Sequence, residues 1–192
     1  CYGKFDYGDF RYMVASTDYM CHPGTKWGRQ GEMPREGYWH NNEGDVLQGL
    51  LFYYLRTGDP RAWELTQQAA RHLLDVDIAH YPTWGMYTHG YGHCYLAAND
   101  PGAPDHSWLQ GLMAWTGVSG DPLAWQWIKN CGDQMAAKAA ASPEYFQQDT
   151  RSAGMEIEMM ANFYFYTGDN KYLAALRPQV DDHTLQALIT HR

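Results

Sequence analysis

The chain has 192 residues, 45% of them hydrophobic and 19% charged, the size and composition of one compact domain with a real core. Fourteen Lys and Arg against twenty-two Asp and Glu leave a formal net charge of -8, which repels a phosphate backbone and argues against nucleic acid as a partner. No apolar run approaches the roughly 18 residues of a bilayer-spanning helix and the mean hydropathy is -0.57, so no membrane partner is expected.

Aromatic side chains make up 15% of the chain, from eight Trp, fifteen Tyr and six Phe. A core of this size does not take up so many, so some of the rings are expected to face a ligand or a partner. Residues 1–38 read as an extended or looped N-terminal segment, and residues 39–192 as three αα-hairpins with their loops and the start of a fourth inner helix. Cys1 opens the chain without Met or a signal peptide, the pattern of a processed chain or of a piece of a longer one. The four cysteines are widely spaced and form no CxxC, which argues against a thiolate zinc site. Sparse Lys beside Arg and plentiful Tyr point to an exported protein, extracellular or periplasmic, with Cys1 and Cys21 the favoured disulfide pair.

Within residues 39–192 a small hydroxyl residue followed by Gly-Asp occurs three times: Thr57-Gly58-Asp59, Ser119-Gly120-Asp121 and Thr167-Gly168-Asp169. Gln48-Gly49-Leu50 and Gln110-Gly111-Leu112 stand at one offset before the first two turns, and Pro60 and Pro122 follow their Asp. Each copy predicts an apolar inner helix, a left-handed Gly, an Asp N-cap, and then an outer helix. The first inner helix is apolar on most sides (Val46, Leu47, Leu50, Leu51, Tyr54, Leu55), while its outer partner carries the single stripe Ala62, Leu65, Ala69, Leu73, Val76. The stripe Leu123, Trp127, Cys131, Met135 marks the second outer helix and makes Cys131 a buried free thiol.

The fold class is therefore all-α, with αα-hairpin repeats forming part of an (α/α) toroid, because unequal spacing between the turns suits a toroid better than a solenoid. After the third hairpin, Asp182-His183-Thr184-Leu185-Gln186 echoes the approach to the second inner helix and starts a fourth. Three hairpins and an opening helix do not close a ring, which predicts exposed apolar edges at Leu47, Leu51, Met155, Met159 and Phe163. Either further parts of the same polypeptide or other copies of the chain, in a homo-oligomer or filament, would cover them.

In such rings the segments preceding the inner helices gather at one mouth. They are Tyr38-Trp39-His40-Asn41-Asn42-Glu43, Asp105-His106-Ser107-Trp108 and Asp149-Thr150-Arg151-Ser152. Glu43 and Asp105 stand equally far before their Gly-Asp turns, one carboxylate per hairpin on one rim. Capping of the first helical turn is the plain account of Asp105, whereas the polar run from His40 to Glu43 exceeds what one cap requires. The segment Thr88-His89-Gly90-Tyr91-Gly92-His93 lies in a stretch whose extra length suggests function. His89 and His93 are four apart, but Gly-Tyr-Gly between them is a poor helix and no Glu follows the first His, so a metalloprotease pattern is absent. Neither Ser107 nor Ser152 lies in a nucleophile elbow. What remains is acid–base chemistry by His, Tyr and carboxylates among aromatic platforms; no cofactor is certain, and a divalent metal stays open.

FDYGDF at Phe5–Phe10, the stretch from Trp39 to Tyr81 with its NNE and Asp-Val-Asp, the HGYGH loop and DHSWLQGL resemble, in that order, the α/α-toroid domain of the YetA-like, exo-type rhamnogalacturonan lyases. The resemblance covers roughly residues 3–176. Members of that group carry β-domains before the toroid and further hairpins after it. The resemblance implies a polysaccharide lyase that cleaves a rhamnogalacturonan-like acidic polysaccharide or oligosaccharide by β-elimination. That reaction neutralises the uronate, removes its C5 proton and protonates the departing O4. On this reading His40, His89, His93 or His106 is the base and Tyr91 a proton donor, with Glu43 orienting a His. Asn41, Asn42 or Arg151 clamps the carboxylate, while Tyr38, Trp39, Asp105 and Trp108 bind the sugar.

Two rivals stand beside it. A glycoside hydrolase would use Glu43 and Asp105 as its carboxylate pair. A non-catalytic extracellular repeat protein would assemble through its open ends.

Overall fold

A computed structural model describes residues 5–6, 8–12, 38–39, 42, 44–80, 85–86, 108–141, 150–178 and 180. The described residues form three helical hairpins preceded by a short β ladder. Strands β1 (Phe5–Asp6), β2 (Asp9–Tyr12) and β3 (Tyr38–Trp39) pair antiparallel in that order, Arg11 opposite Trp39 and Tyr12 opposite Tyr38. Helices α1 (Val46–Thr57) and α2 (Pro60–His72) make the first hairpin. A π-helical turn, Leu73–Asp77, extends α2 and leads to the ladder of β4 (Ile78–Ala79) with β5 (Gly85–Met86). Helices α3 (Gln110–Ser119) and α4 (Pro122–Ala141) make the second hairpin, α5 (Thr150–Thr167) and α6 (Asn170–Pro178) the third.

The three hairpin turns are built as their shared sequence predicts. Gly58, Gly120 and Gly168 all have φ near +69 (69, 69 and 68) and donate to the carbonyls of Tyr54, Thr116 and Tyr164. The preceding hydroxyl accepts from the N–H of the Asp, at 3.2 Å for Thr57, 3.3 Å for Ser119 and 3.1 Å for Thr167. Each Asp carboxylate then caps the next helix, receiving the N–H of Arg61, Leu123 or Lys171 at 2.9–3.0 Å. Hydroxyl, Gly and Asp thus perform three separate tasks in one turn.

Inner helices α1, α3 and α5 pack in sequence, each against its own outer helix, around Leu47, Leu51, Leu112, Met113, Met159 and Phe163. Phe163 stacks on Tyr172 of α6, ring centroids 5.2 Å apart. The Tyr172 hydroxyl donates to Asp133 of α4 at 2.7 Å, and Lys129 and Lys171 pair with the same carboxylate. Burial raises the Asp133 pKa, but those three donors outweigh it and bring the carboxyl down to about 2. Side-chain contacts also tie the first hairpin to the second. Arg71 in the last turn of α2 pairs with Asp121 in the α3–α4 turn, and the His80 ring lies 4.6 Å from Trp127.

Two expectations need correction. The buried stripe of α4 runs through Ala124, Ile128, Cys131, Met135 and Ala139, while Leu123 is 51% exposed; the stripe follows mixed three- and four-residue steps, not fours alone. Cys131 itself is free and buried, as its place on the stripe required. Leu47, Leu51, Met155, Met159 and Phe163 are not an exposed edge: none exceeds 7% exposure. These side chains fill the interface between hairpins, and among the described residues the most exposed apolar ones are Phe52, Tyr53 and Leu55 on α1, Leu123 on α4 and Phe165 on α5. The Cys1–Cys21 pairing, Cys94 and the fourth inner helix lie outside the described residues.

Candidate functional site

The segments before α1 and α3 meet. Asn42 and Asp45 adopt left-handed backbone, φ 56 and 53, a conformation that short polar side chains tolerate. The resulting tight turn, closed by the Asp45 N–H on the Asn42 carbonyl, aims both side chains into the protein. Asn42 Oδ1 accepts the Leu47 N–H at 3.1 Å, while its Nδ2 donates to Asp45 Oδ1 at 3.3 Å and to the Trp108 carbonyl at 2.9 Å. Both ends of the amide are therefore engaged in joining the two segments.

Asp45 is the centre of this brace. One oxygen caps α1 through the Gln48 N–H at 3.2 Å, and the other receives the Gly111 N–H in the first turn of α3 at 2.8 Å. A single carboxylate satisfies orphan donors of two helices. Burial raises its pKa, opposed by the Gly111, Gln48 and Asn42 hydrogen bonds; Glu158 of α5 adds like charge. Gly111 is required by contact: a Cβ there would lie 2.4 Å from the Gln48 nitrogen and 2.5 Å from Asp45 Oδ1.

On α5, Glu156 is fully buried, and among the described residues neither of its oxygens has a hydrogen-bond partner. Burial pushes its pKa up to about 8, so the carboxyl is mostly protonated at neutral pH. A neutral carboxyl can donate a hydrogen bond or a proton, which an ordinary Glu at this pH cannot. The indole Nε1 of Trp108 is likewise buried and without a partner among the described residues.

A third group stands where the β1–β2 ladder meets the end of α2. Asp9, His72 and Asp77 bring one donor atom each within 4.8 Å of one another. Because the N terminus of α1 and the C terminus of α2 share one end of an antiparallel hairpin, this group and the Asn42–Asp45 brace lie at the same end.

A groove of about 360 Å³ among Met113, Thr116, Asp121, Trp125 and Tyr166 lies at the α3–α4 turn. Its carboxylate is already occupied: Asp121 receives the N–H groups of Leu123 and Ala124 and pairs with Arg71. The carboxylate that lines the groove is thus committed to structure.

Of the residues singled out by sequence, the structure brings Asn42 and Trp108 together and seats Tyr38 and Trp39 on the ladder strand β3. Arg151 falls in the first turn of α5. His40, Asn41, Glu43, His89, Tyr91, His93, Asp105 and His106 lie outside the described residues. Sequence reasoning passed over Asp45 and Glu156. Asp45-Val-Leu-Gln48 has the spacing of a capping box, and Glu156 occupies the buried stripe completed by Met159, Met160 and Phe163. Compared with known protein families, curated proteins and solved structures, the chain matches none.

Proposed function

We propose that this helical-hairpin domain acts on an acidic, rhamnogalacturonan-like polysaccharide, as a lyase that cleaves by β-elimination, with Glu156 in the reacting site. The observation that carries the reading is the buried carboxyl of Glu156, whose burial keeps its proton at neutral pH. A protonated carboxyl can donate to anionic substrate oxygens, whereas an ionised one there would repel them. Glu156 would hydrogen-bond the uronate or protonate the departing O4, while a base from His40, His89, His93 or His106 removes the C5 proton. Tyr91 is the alternative donor to O4, and Glu43, Asn41 and Arg151 keep the roles that the resemblance implies, with Asn42 bracing the site. Such substrates are extracellular, which agrees with an exported protein.

Incubation with rhamnogalacturonan tests this directly. A lyase releases an unsaturated uronyl product that absorbs in the ultraviolet, and Glu156→Gln should lower its rate of formation about 100-fold or more. New reducing ends without that absorbance would instead identify a hydrolase, with Glu43 and Asp105 as its carboxylate pair. Full activity in Glu156→Gln would remove this residue from the reaction.

A further inference from the structure

We propose that Asp9, His72 and Asp77 form a binding site for a divalent transition metal of the zinc class, independent of the polysaccharide reading. Two features of the backbone build it. Residues five apart on an α-helix point about 140° away from each other, since each residue turns the helix by about 100°. The π turn from Leu73 to Asp77 changes that: the Ile78 N–H reaches the Leu73 carbonyl, and positions five apart come onto one face. His72 Nε2 and Asp77 Oδ1 are 3.5 Å apart as a result.

The third donor arrives from the N-terminal ladder. Gly8, at φ +96, lies so close to α2 that a Cβ would come within 2.4 Å of the Gln68 carbonyl oxygen and 2.6 Å of the His72 Cβ. The residue after it, Asp9, is delivered against His72. Asp9 and Asp77 are 3% and 1% exposed, and the His72 side chain is 8% exposed.

The donor set selects the cation. Two carboxylate oxygens and one imidazole nitrogen suit zinc or manganese, whereas calcium and magnesium favour oxygen alone. Ligands at about 2.1 Å from a tetrahedral centre stand about 3.4 Å from each other, close to the observed His72–Asp77 spacing. Three protein ligands leave the fourth position to water. The metal would pin the β1–β2 ladder to the end of α2.

The test is chelator-stripped protein titrated with zinc, manganese and calcium, following metal stoichiometry and the melting temperature. One zinc per chain, a raised melting temperature, and binding weakened at least tenfold in both His72→Gln and Asp77→Asn, but not in the remote Glu64→Gln, would establish the site. Cobalt in place of zinc should give visible bands of a tetrahedral oxygen and nitrogen site without thiolate charge transfer. Unchanged melting of the stripped wild-type protein on adding zinc or manganese would overturn the proposal, whatever the variants do. So would undiminished stoichiometric binding in the two ligand variants, a thiolate band, or preference for calcium. None of these readouts depends on enzymatic activity, so the site and the polysaccharide reading fail separately.

Discussion

Glu156 makes the pH response of this protein readable at a single residue. Its carboxyl titrates at about 8 in the folded chain, against the ordinary 4.5. Between those values the folded state keeps a proton that the unfolded state has released, so this residue's contribution lowers stability as pH rises through that window. Glu156→Gln removes the slope: the variant should melt close to wild type near pH 5 and clearly above it near pH 8. Equal differences at both pH values would mean that the carboxyl ionises normally. The residue was legible in part. A Glu at the first position of a stripe that continues through Met159, Met160 and Phe163 is placed inward by helical period alone. That no donor among the described residues meets it is a tertiary fact, which depends on what α5 packs against.

The elements divide into those specified locally and those specified by contact. Hydroxyl-Gly-Asp turns are local, since every hydrogen bond in them spans at most four residues, and so all three hairpins could be read directly from the sequence. The joint between hairpins could not. Asp45 and Gly111 are 66 positions apart, and only the crossing of α1 and α3 reveals why one must be a carboxylate and the other must lack a side chain. Gly111→Ala therefore tests the joint. Its Cβ would meet backbone, which cannot yield as a side chain can, so a loss of about 1–3 kcal/mol or more is expected in denaturant unfolding. Gly49→Ala, where a Cβ meets nothing within 4 Å, is the matched control and should be neutral or stabilising. The repeat register had drawn attention to Glu43, but the cap of α1 is Asp45. Left-handed backbone at Asn42, Gly44 and Asp45 shifts the cap relative to the polar run before it.

At the scale of the whole molecule, several large apolar side chains of the described residues meet solvent. Phe52, Tyr53 and Leu55 are each more than half exposed, and Phe165 is 79% exposed. Burying a large apolar side chain is worth about 1.5–3 kcal/mol, so the isolated chain should associate with itself as concentration rises. Light scattering would follow this, and Phe52→Ser with Phe165→Ser should shift the association to higher concentration without lowering the melting temperature. A monomer at all concentrations would show that scattered exposed rings, not a sticky surface, are present. The residues expected at open edges are buried instead, because apolar character alone does not tell the face turned toward the next hairpin from the face turned away.

The π turn at the end of α2 carries a last consequence. A π turn is rare and occurs mostly as a single turn within or at the end of an α-helix, frequently at functional sites. Here it turns Asp77 back toward His72, so the stretch that leads into β4 also sets the angle at which that carboxylate is presented. Straightening this one turn would part the two side chains while leaving the α1–α2 hairpin as it is.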